Sequence, residues 1–357
     1  MTLLYIDGFE GYAIGDDRFD LDVDYDFDEL IGQTEAGIIA GRTTGKALFI
    51  DDGNNAITPL LVPVAGLSSQ DDWIVAFAIY TDHPEFDLLT GDQQVWLQFL
   101  DSEGAGMLSI YPAAGVLNVR SGSTSGTKLG FTNTRLTTKV WHFFECKVNF
   151  HATTGSVAIR IDEEQVLALT NVNTVGSTTD NRPSMLRVAS SGNGLQTRVD
   201  DFYILDDQGS QHNNFLGDLA VTRLNPTGAG NSTQFSVTGV ASNWDAVNED
   251  GPDGDTTYVQ SNTSGQKDTY TFSDISGTPA AIEAVAVKSY CKKTDGGSRT
   301  FVHVARSSGV EGESATIYPS AISYRRLQSV FPQDPNTSAA WAAAGVNAAE
   351  FGFRINA

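Results

Sequence analysis

The carboxylates of this chain are the residues whose spacing could do chemistry. Asp20, Asp22 and Asp24 recur at every second position, and Asp250, Asp253 and Asp255 crowd one glycine-rich stretch, Asp250-Gly-Pro-Asp-Gly-Asp255. Such sets are rich in ligands for Ca²⁺, which takes about six to eight oxygens. On a flat strand, with a rise of ~3.3 Å per residue, alternate carboxylates stand ~6.5 Å apart, too wide for one ion unless the segment is a loop. Asp20, Asp22 and Asp24 therefore read as a solvated strand face or, if the backbone loops, as a cation site. The Asp250–Asp255 stretch lacks the regular odd-position ligands and terminal Glu of an EF-hand, so it reads as a structural turn or a cation-bound loop. A structural Ca²⁺ at these aspartates is the one cofactor the sequence suggests.

Nucleophilic and hydrolytic constellations are sparser. His83-Pro-Glu-Phe-Asp-Leu-Leu-Thr90 is the nearest approach to the Glu-x-Asp-x-x-Glu of sandwich-fold glucanases. Glu85 and Asp87 take the first two places, but Thr90 stands where the second glutamate belongs. Retaining hydrolysis needs two carboxyls ~5–5.5 Å apart, so the acid is missing, and Asp92 lies too far along to replace it. Gly41-Arg-Thr-Thr-Gly-Lys-Ala47 is one residue short of a phosphate loop and ends in Ala where that loop needs Ser or Thr. The histidines His83, His142, His151, His212 and His303 show no metal or nucleophile spacing. Among five tryptophans, Trp73, Trp96, Trp141 and Trp341 sit in apolar contexts. Trp244, in a polar stretch, is the candidate to stand exposed and stack on a ligand such as a sugar.

Composition sets the frame. Lys and Arg total 22 against 44 Asp and Glu, a formal charge of −22. Such a chain repels phosphate backbones and anionic bilayers and suits cations or a basic partner. Nucleic acid and membrane are therefore not expected partners, and no apolar run is long enough to span a bilayer. The first residues lack the basic and apolar regions of a signal peptide. Cys146 and Cys291 fall in different expected domains and form no disulfide framework.

Glycine-punctuated runs of β-branched and aromatic residues must carry all of this. Phe19, Leu21, Val23, Tyr25 and Phe27 alternate with the aspartates at period two. Further strands are expected at 47–50, 73–80, 95–100, 106–111, 116–120, 141–150, 156–161, 165–169, 184–189 and 198–205. The pattern restarts near Phe215 and runs to 350–355. One short helix is expected over Ala339–Ala344, with Thr337 or Ser338 as N-cap. The fold class is all-β: two consecutive antiparallel β-sandwich (jelly-roll) domains, residues 1–207 and a smaller one at 214–357, joined by a linker at 208–213.

Ile6-Asp-Gly-Phe-Glu-Gly-Tyr12, the 140–169 strand–strand–hairpin and Val199-Asp-Asp-Phe-Tyr-Ile-Leu205 resemble concanavalin/laminin-G-like jelly rolls. Asn214-Phe-Leu-Gly-Asp218, Leu224-Asn-Pro226, Asn243-Trp244 and Asp253-Gly-Asp-Thr-Thr-Tyr-Val259 are similar to a module of tailed-bacteriophage structural proteins. Lys293-Thr-Asp-Gly-Gly-Ser-Arg299, Asp334-Pro-Asn-Thr337, Trp341 and Phe351-Gly352 continue that likeness. The resemblance implies a structural protein on the virion exterior, as decoration, collar or tail-fibre appendage, made in the host cytoplasm and not an enzyme. It implies capsid, neck or tail proteins as partners and a homo-oligomer, a trimer in the first instance. The alternative is a lectin-like receptor-recognition protein that binds glycans.

Overall fold

A computed structural model describes residues 2–15, 26–27, 34–43, 45–52, 60–62, 71–82, 95–190, 196–206, 208–320 and 323–356. Its regular structure is almost wholly antiparallel β, as the all-β class requires. The chain divides into two compact units. Residues 1–9 and 14–221 form the first; residues 10–13 and 222–357 form the second.

The first unit is built on two sheets. One runs, edge to edge, through Glu164–Val172, Gly155–Ile161, Trp141–Asn149, Asp72–Thr81, Gln196–Asp206, Lys46–Asp52 and Thr34–Ala40, and Thr2–Asp7 also pairs with Gln196–Asp206. The other runs through Thr127–Phe131, Val116–Ser121, Gly106–Ala113, Val95–Leu100, Met185–Ser190, Leu60–Val62 and Asp26–Phe27. Phe77 and Phe144 from the first sheet, with Phe150 just beyond it, fill the core with Phe99 of the second, and Trp96, at the start of its strand, also reaches Phe144. Phe144 meets Trp96 edge-on at 5.8 Å and Phe150 meets Phe99 at 5.0 Å. Alternation explains the strand order of side chains: Phe144, Cys146 and Val148 are fully buried on one face of their strand. A register shift between Asp200 and Tyr203 breaks the long Gln196–Asp206 strand, and Asp201 takes φ 50° there. The strand pairs with Lys46–Asp52 before the shift and with Thr2–Asp7 after it.

The stretch 214–224, expected to open the second sandwich as a strand, contains none, and residues 214–221 belong to the first unit. Their backbone groups are satisfied by side chains instead of a ladder. Gly217 N donates to Glu145 Oε1 at 2.9 Å, Leu216 N to Tyr203 Oη at 3.1 Å and Val221 N to Asp201 Oδ1 at 2.6 Å. Arg42 closes the set, donating to Asp218 Oδ1 at 2.6 Å and to the Leu219 carbonyl at 2.9 Å, with Asp201 3.0 Å away.

In the second unit one sheet orders Pro226–Thr233, Lys267–Phe272, Glu350–Ile355, Phe301–Ser307 and Val310–Glu313, and Val285–Cys291 pairs separately with Arg325–Phe331. Val287, Ala305, Phe331, Trp341, Val346 and Phe351 form a common core. The helix lies at Ala343–Ala348 and not at 339–344. Trp341, expected inside the helix, is extended and bridges Ile282, and its Nε1 donates to the Phe331 carbonyl at 2.9 Å. Burying that indole outweighs the helix propensity of the alanines around it.

The outer side of the Val285–Cys291 pair carries a stack of rings and cations. Lys292 Nζ lies 4.3 Å from the Tyr324 ring, Tyr324 stacks on Tyr290 at 4.7 Å, and Arg326 sits 5.1 Å from Tyr290 and 3.8 Å from Tyr12. Partly desolvated cation–π contacts are worth about 0.5–2 kcal/mol each. Arg326→Ala is expected to lower the urea stability of the second unit by about 1–3 kcal/mol, and Arg326→Lys to recover part of it. An unchanged midpoint for the alanine variant would show that the stack holds nothing together.

Candidate functional site

The second sheet of the first unit presents an unusual face. Its inward rows, read across neighbouring strands, are Val188–Leu97–Ile110–Val119 and Leu186–Phe99–Leu108, all 0% exposed. Between them, in the opposite orientation by the period of two, runs Arg187–Gln98–Ser109–Arg120–Lys128. Five adjacent strands thus contribute one polar residue each to a single line. The next row on the same face is Tyr111–Asn118–Phe131.

These side chains hold one another. Arg187 Nη1 donates to Gln98 Oε1 at 2.9 Å, Gln98 Nε2 to Ser109 Oγ at 2.8 Å, and Ser109 Oγ to the Gly122 carbonyl at 2.7 Å. Arg120 Nε donates to Tyr111 Oη at 2.5 Å and its Nη1 to the Gly126 carbonyl at 2.6 Å. Gln98 and Ser109 are buried, while both arginines are half-buried. At the edge strand Lys128 Nζ sits 4.3 Å above the Phe131 ring, and Phe131 is 49% exposed. The bonded stretch Arg187–Gln98–Ser109, and Arg120 held by Tyr111 and Gly126, keep their geometry before any ligand arrives, which lowers the ordering cost of binding. Guanidinium, amide and hydroxyl groups on a rigid sheet, beside an exposed ring, can read hydroxyls and stack on a sugar's apolar face.

The residues singled out in the sequence lie elsewhere. Asp20, Asp22 and Asp24, and the whole 83–94 segment with Glu85, Asp87 and Asp92, fall outside the described residues. Asp250, Asp253 and Asp255 are not brought together. Asp250 faces Arg223 (Nη1 to carbonyl O 2.8 Å, to Oδ1 3.5 Å), Asp253 accepts from Thr257 N and Oγ1, and Asp255 pairs with Lys292 at 2.8 Å and accepts from Tyr324 Oη at 2.7 Å. Lys292 first, then Tyr324, holds the Asp255 carboxyl below the usual range. Among the described residues no three His, Cys, Asp or Glu side chains are placed to share one ion. Trp244 is half-buried in a 3-10 turn, Asn243–Ala246. Gly41 and Gly45 close a hairpin turn, Gly41 N to Gly45 O at 2.9 Å.

The polar row escaped the sequence reading because its members are one per strand. Its signal was a lone polar residue inside each apolar run: Gln98 in Val-Trp-Leu-Gln-Phe-Leu, Ser109 in Met-Leu-Ser-Ile-Tyr, Arg187 in Met-Leu-Arg-Val. Only the register lines them up.

The molecule is thus an all-β protein of two antiparallel β-sandwich units, one with a polar sheet face. No protein-family model and no curated protein sequence matches the chain. Solved structures similar to it include the endo-β-1,4-glucuronan lyase of the fungus Trichoderma reesei (15% identity, TM-score 0.41, 57% of this chain and 95% of that one). An alginate lyase is similar at 12% identity and TM-score 0.39, over 58% of this chain and 98% of that one. A conserved carbohydrate esterase of the Shiga toxin-encoding bacteriophage phi24B is similar at 15% identity and TM-score 0.33, over 50% and 89%. These likenesses concern β-sandwich architecture. They correct one expectation, that the chain is not an enzyme: the solved structures similar to it include two lyases and an esterase.

Proposed function

We propose that the protein recognises carbohydrate, along the polar face of the second sheet of its first unit. The observation that carries this reading is the unbroken row Arg187–Gln98–Ser109–Arg120–Lys128, hydrogen-bonded along part of its length and ending beside the exposed Phe131 ring. Polar groups in the middle of five strands have no role in the apolar core behind them. Glycan-array screening followed by calorimetry tests it. Phe131→Ala, at an exposed position, is expected to weaken the best-bound glycan about tenfold, the order of one lost stacking contact. Full-strength binding by that variant and by Arg120→Gln alike would remove the site from this face.

A second reading, a structural protein on the exterior of a tailed-phage particle, is supported by the ordered motifs between Asn214 and Phe351-Gly352. In that reading its partners are capsid, neck or tail proteins and further copies of itself, and glycan recognition is its contact with a host surface. Electron cryomicroscopy of particles with and without the protein decides it, and light scattering of the purified chain decides between trimer and monomer.

A further inference from the structure

We propose a second saccharide site, independent of the polar face: an aromatic platform for a short neutral oligosaccharide on the outer side of the first sheet, where Trp141, Tyr80 and Phe49 line up with Arg198. The register sets Trp141 against Tyr80, Tyr80 against Arg198 and Arg198 against Phe49, one residue from each of four adjacent strands. Alternation puts this row on the side away from the buried Phe144 and Cys146, outside the core. The next row on that side, Phe143–Ala78–Asp200, is buried, with the Arg42 guanidinium 5.4 Å from the Phe143 ring. Beyond it, Glu145 and Tyr203 accept from Gly217 N and Leu216 N. The cover ends there: Trp141, Tyr80, Arg198 and Phe49 are each half-buried.

The outer side of an antiparallel sheet ordinarily carries polar residues, yet three of the four places in this row are rings. The rings are held in position. Trp141 and Tyr80 stand 5.7 Å apart, and the Arg198 guanidinium lies 4.7 Å over the Tyr80 ring. Arg198 Nε is buried and donates to no acceptor among the described residues, so the ring beneath it places the group. At one end of the row Asp82 N donates to the Gln196 carbonyl at 3.4 Å, and Gln196 shares the outer side with Arg198. Rings that stack on the apolar face of a sugar, beside a guanidinium, an amide and a carboxylate that bond its hydroxyls, are what saccharide recognition requires.

Size and charge select the occupant. Trp141 and Phe49 are three strand spacings apart, about 14–15 Å at ~4.8 Å each, and one row of a face is ~7 Å deep. That footprint, roughly 100 Å², is far below the ~800 Å² per partner of a stable protein interface. It is too small to hold a second copy of the chain and has the length of a short oligosaccharide lying across the strands. Arg198 and Asp82 carry opposite charges beside the row, which favours a neutral saccharide over a charged one.

The test uses the full chain and neutral oligosaccharides of the cellulose, mannan, xylan and starch series, followed by tryptophan fluorescence and calorimetry. Trp73, Trp96 and Trp341 are buried, so acrylamide quenching reports on the half-buried Trp141 and Trp244, and Trp244→Phe leaves Trp141 as the reporter. At least one oligosaccharide is expected to shield Trp141 from acrylamide in that protein. Trp141→Ala and Phe49→Ala are each expected to weaken its binding about tenfold, the order of one lost stacking contact. Trp141→Phe should recover most of the loss, and Phe131→Ala, on the other sheet, should leave it unchanged. Shielding is read with the row intact, so the test stands even where a Trp141 variant fails to fold. No shielding by any of the four series overturns the proposal. Binding that Phe131→Ala abolishes and Trp141→Ala leaves whole also overturns it, and keeps the polar-face reading. Binding lost in Trp141→Ala but whole in Phe131→Ala and Arg120→Gln upholds this site and removes the polar face instead.

Discussion

Glu145→Ala is expected to cost the first unit about 3–5 kcal/mol, the range for removing one partner of a buried charge network. Glu145 is fully buried on the strand Trp141–Asn149, on the side opposite Phe144 and Cys146. Its Oε1 accepts from Tyr203 Oη at 2.8 Å and from Gly217 N at 2.9 Å, and Arg160 Nη1 lies 3.4 Å from Oε2. Alanine would leave the buried Tyr203 hydroxyl and the buried Gly217 amide without their acceptor, each desolvated without compensation, while Arg160 keeps its bonds to the Glu163 carbonyl. Burial also pushes the Tyr203 hydroxyl well above its ordinary pKa, so it stays a donor throughout the accessible range. Glu145→Gln keeps an acceptor for Tyr203 and Gly217 and should cost only about 1–2 kcal/mol. Urea denaturation measures both, and limited proteolysis between residues 210 and 221 reports release of that segment. A loss below about 1 kcal/mol for the alanine variant, within the range of a surface change, would mean the segment is held by Arg42 and Asp201 instead.

That segment also marks where sequence reasoning stopped. Period-two alternation located most strands of the first unit, because burial of one face forces it: Trp141–Asn149 and Gly155–Ile161 fall almost where the pattern puts them. Asn214-Phe-Leu-Gly-Asp218 has the same apolar and glycine content as a strand start, yet its partners are four side chains far away in sequence. Local pattern carries no information about Glu145, 72 residues earlier. The helix at 343–348 was displaced for a related reason. Propensity ranks the alanines around Trp341 as helical, while a long-range bridge to Ile282 keeps Trp341 extended.

The candidate site was less legible still. Clustered carboxylates draw the eye in sequence because neighbours in the chain look like neighbours in space. In a β-sheet the functional neighbours are cross-strand, and the five residues of the polar row span Gln98 to Arg187. Asp250, Asp253 and Asp255, close in sequence, each take their own donors and do not combine into a set that could share one ion. Adjacency along the chain predicts a shared site only in a tight loop, and adjacency across a sheet needs a register no single strand contains.

Acidification is expected to unfold the second unit through His303. The imidazole is fully buried on Phe301–Ser307, with Nδ1 2.8 Å from Ser329 Oγ and Nε2 2.9 Å from Ser289 Oγ. Both serines can donate or accept, so neither hydrogen bond forbids a second proton; burial does, lowering the pKa from 6.5 to about 3. Because the folded value is depressed, the unfolded chain takes up the proton first as pH falls. The contribution of neutral His303 is whole above about pH 6.5, is lost as pH falls through the window and is exhausted near pH 3. At 1.36 kcal/mol per pKa unit the loss approaches about 5 kcal/mol, a large share of a domain's usual stability of ~5–15 kcal/mol. Carboxylates titrating below pH 5 add to it, so the informative quantity is a difference. His303→Gln keeps two hydrogen-bonding groups and removes the titration. Its urea stability should fall below that of the parent at pH 7, and the gap should narrow steadily toward pH 4. Parallel losses in the two proteins over that range would show that His303 is solvated and protonated without opening the sandwich, and would place the acid sensitivity in the carboxylates.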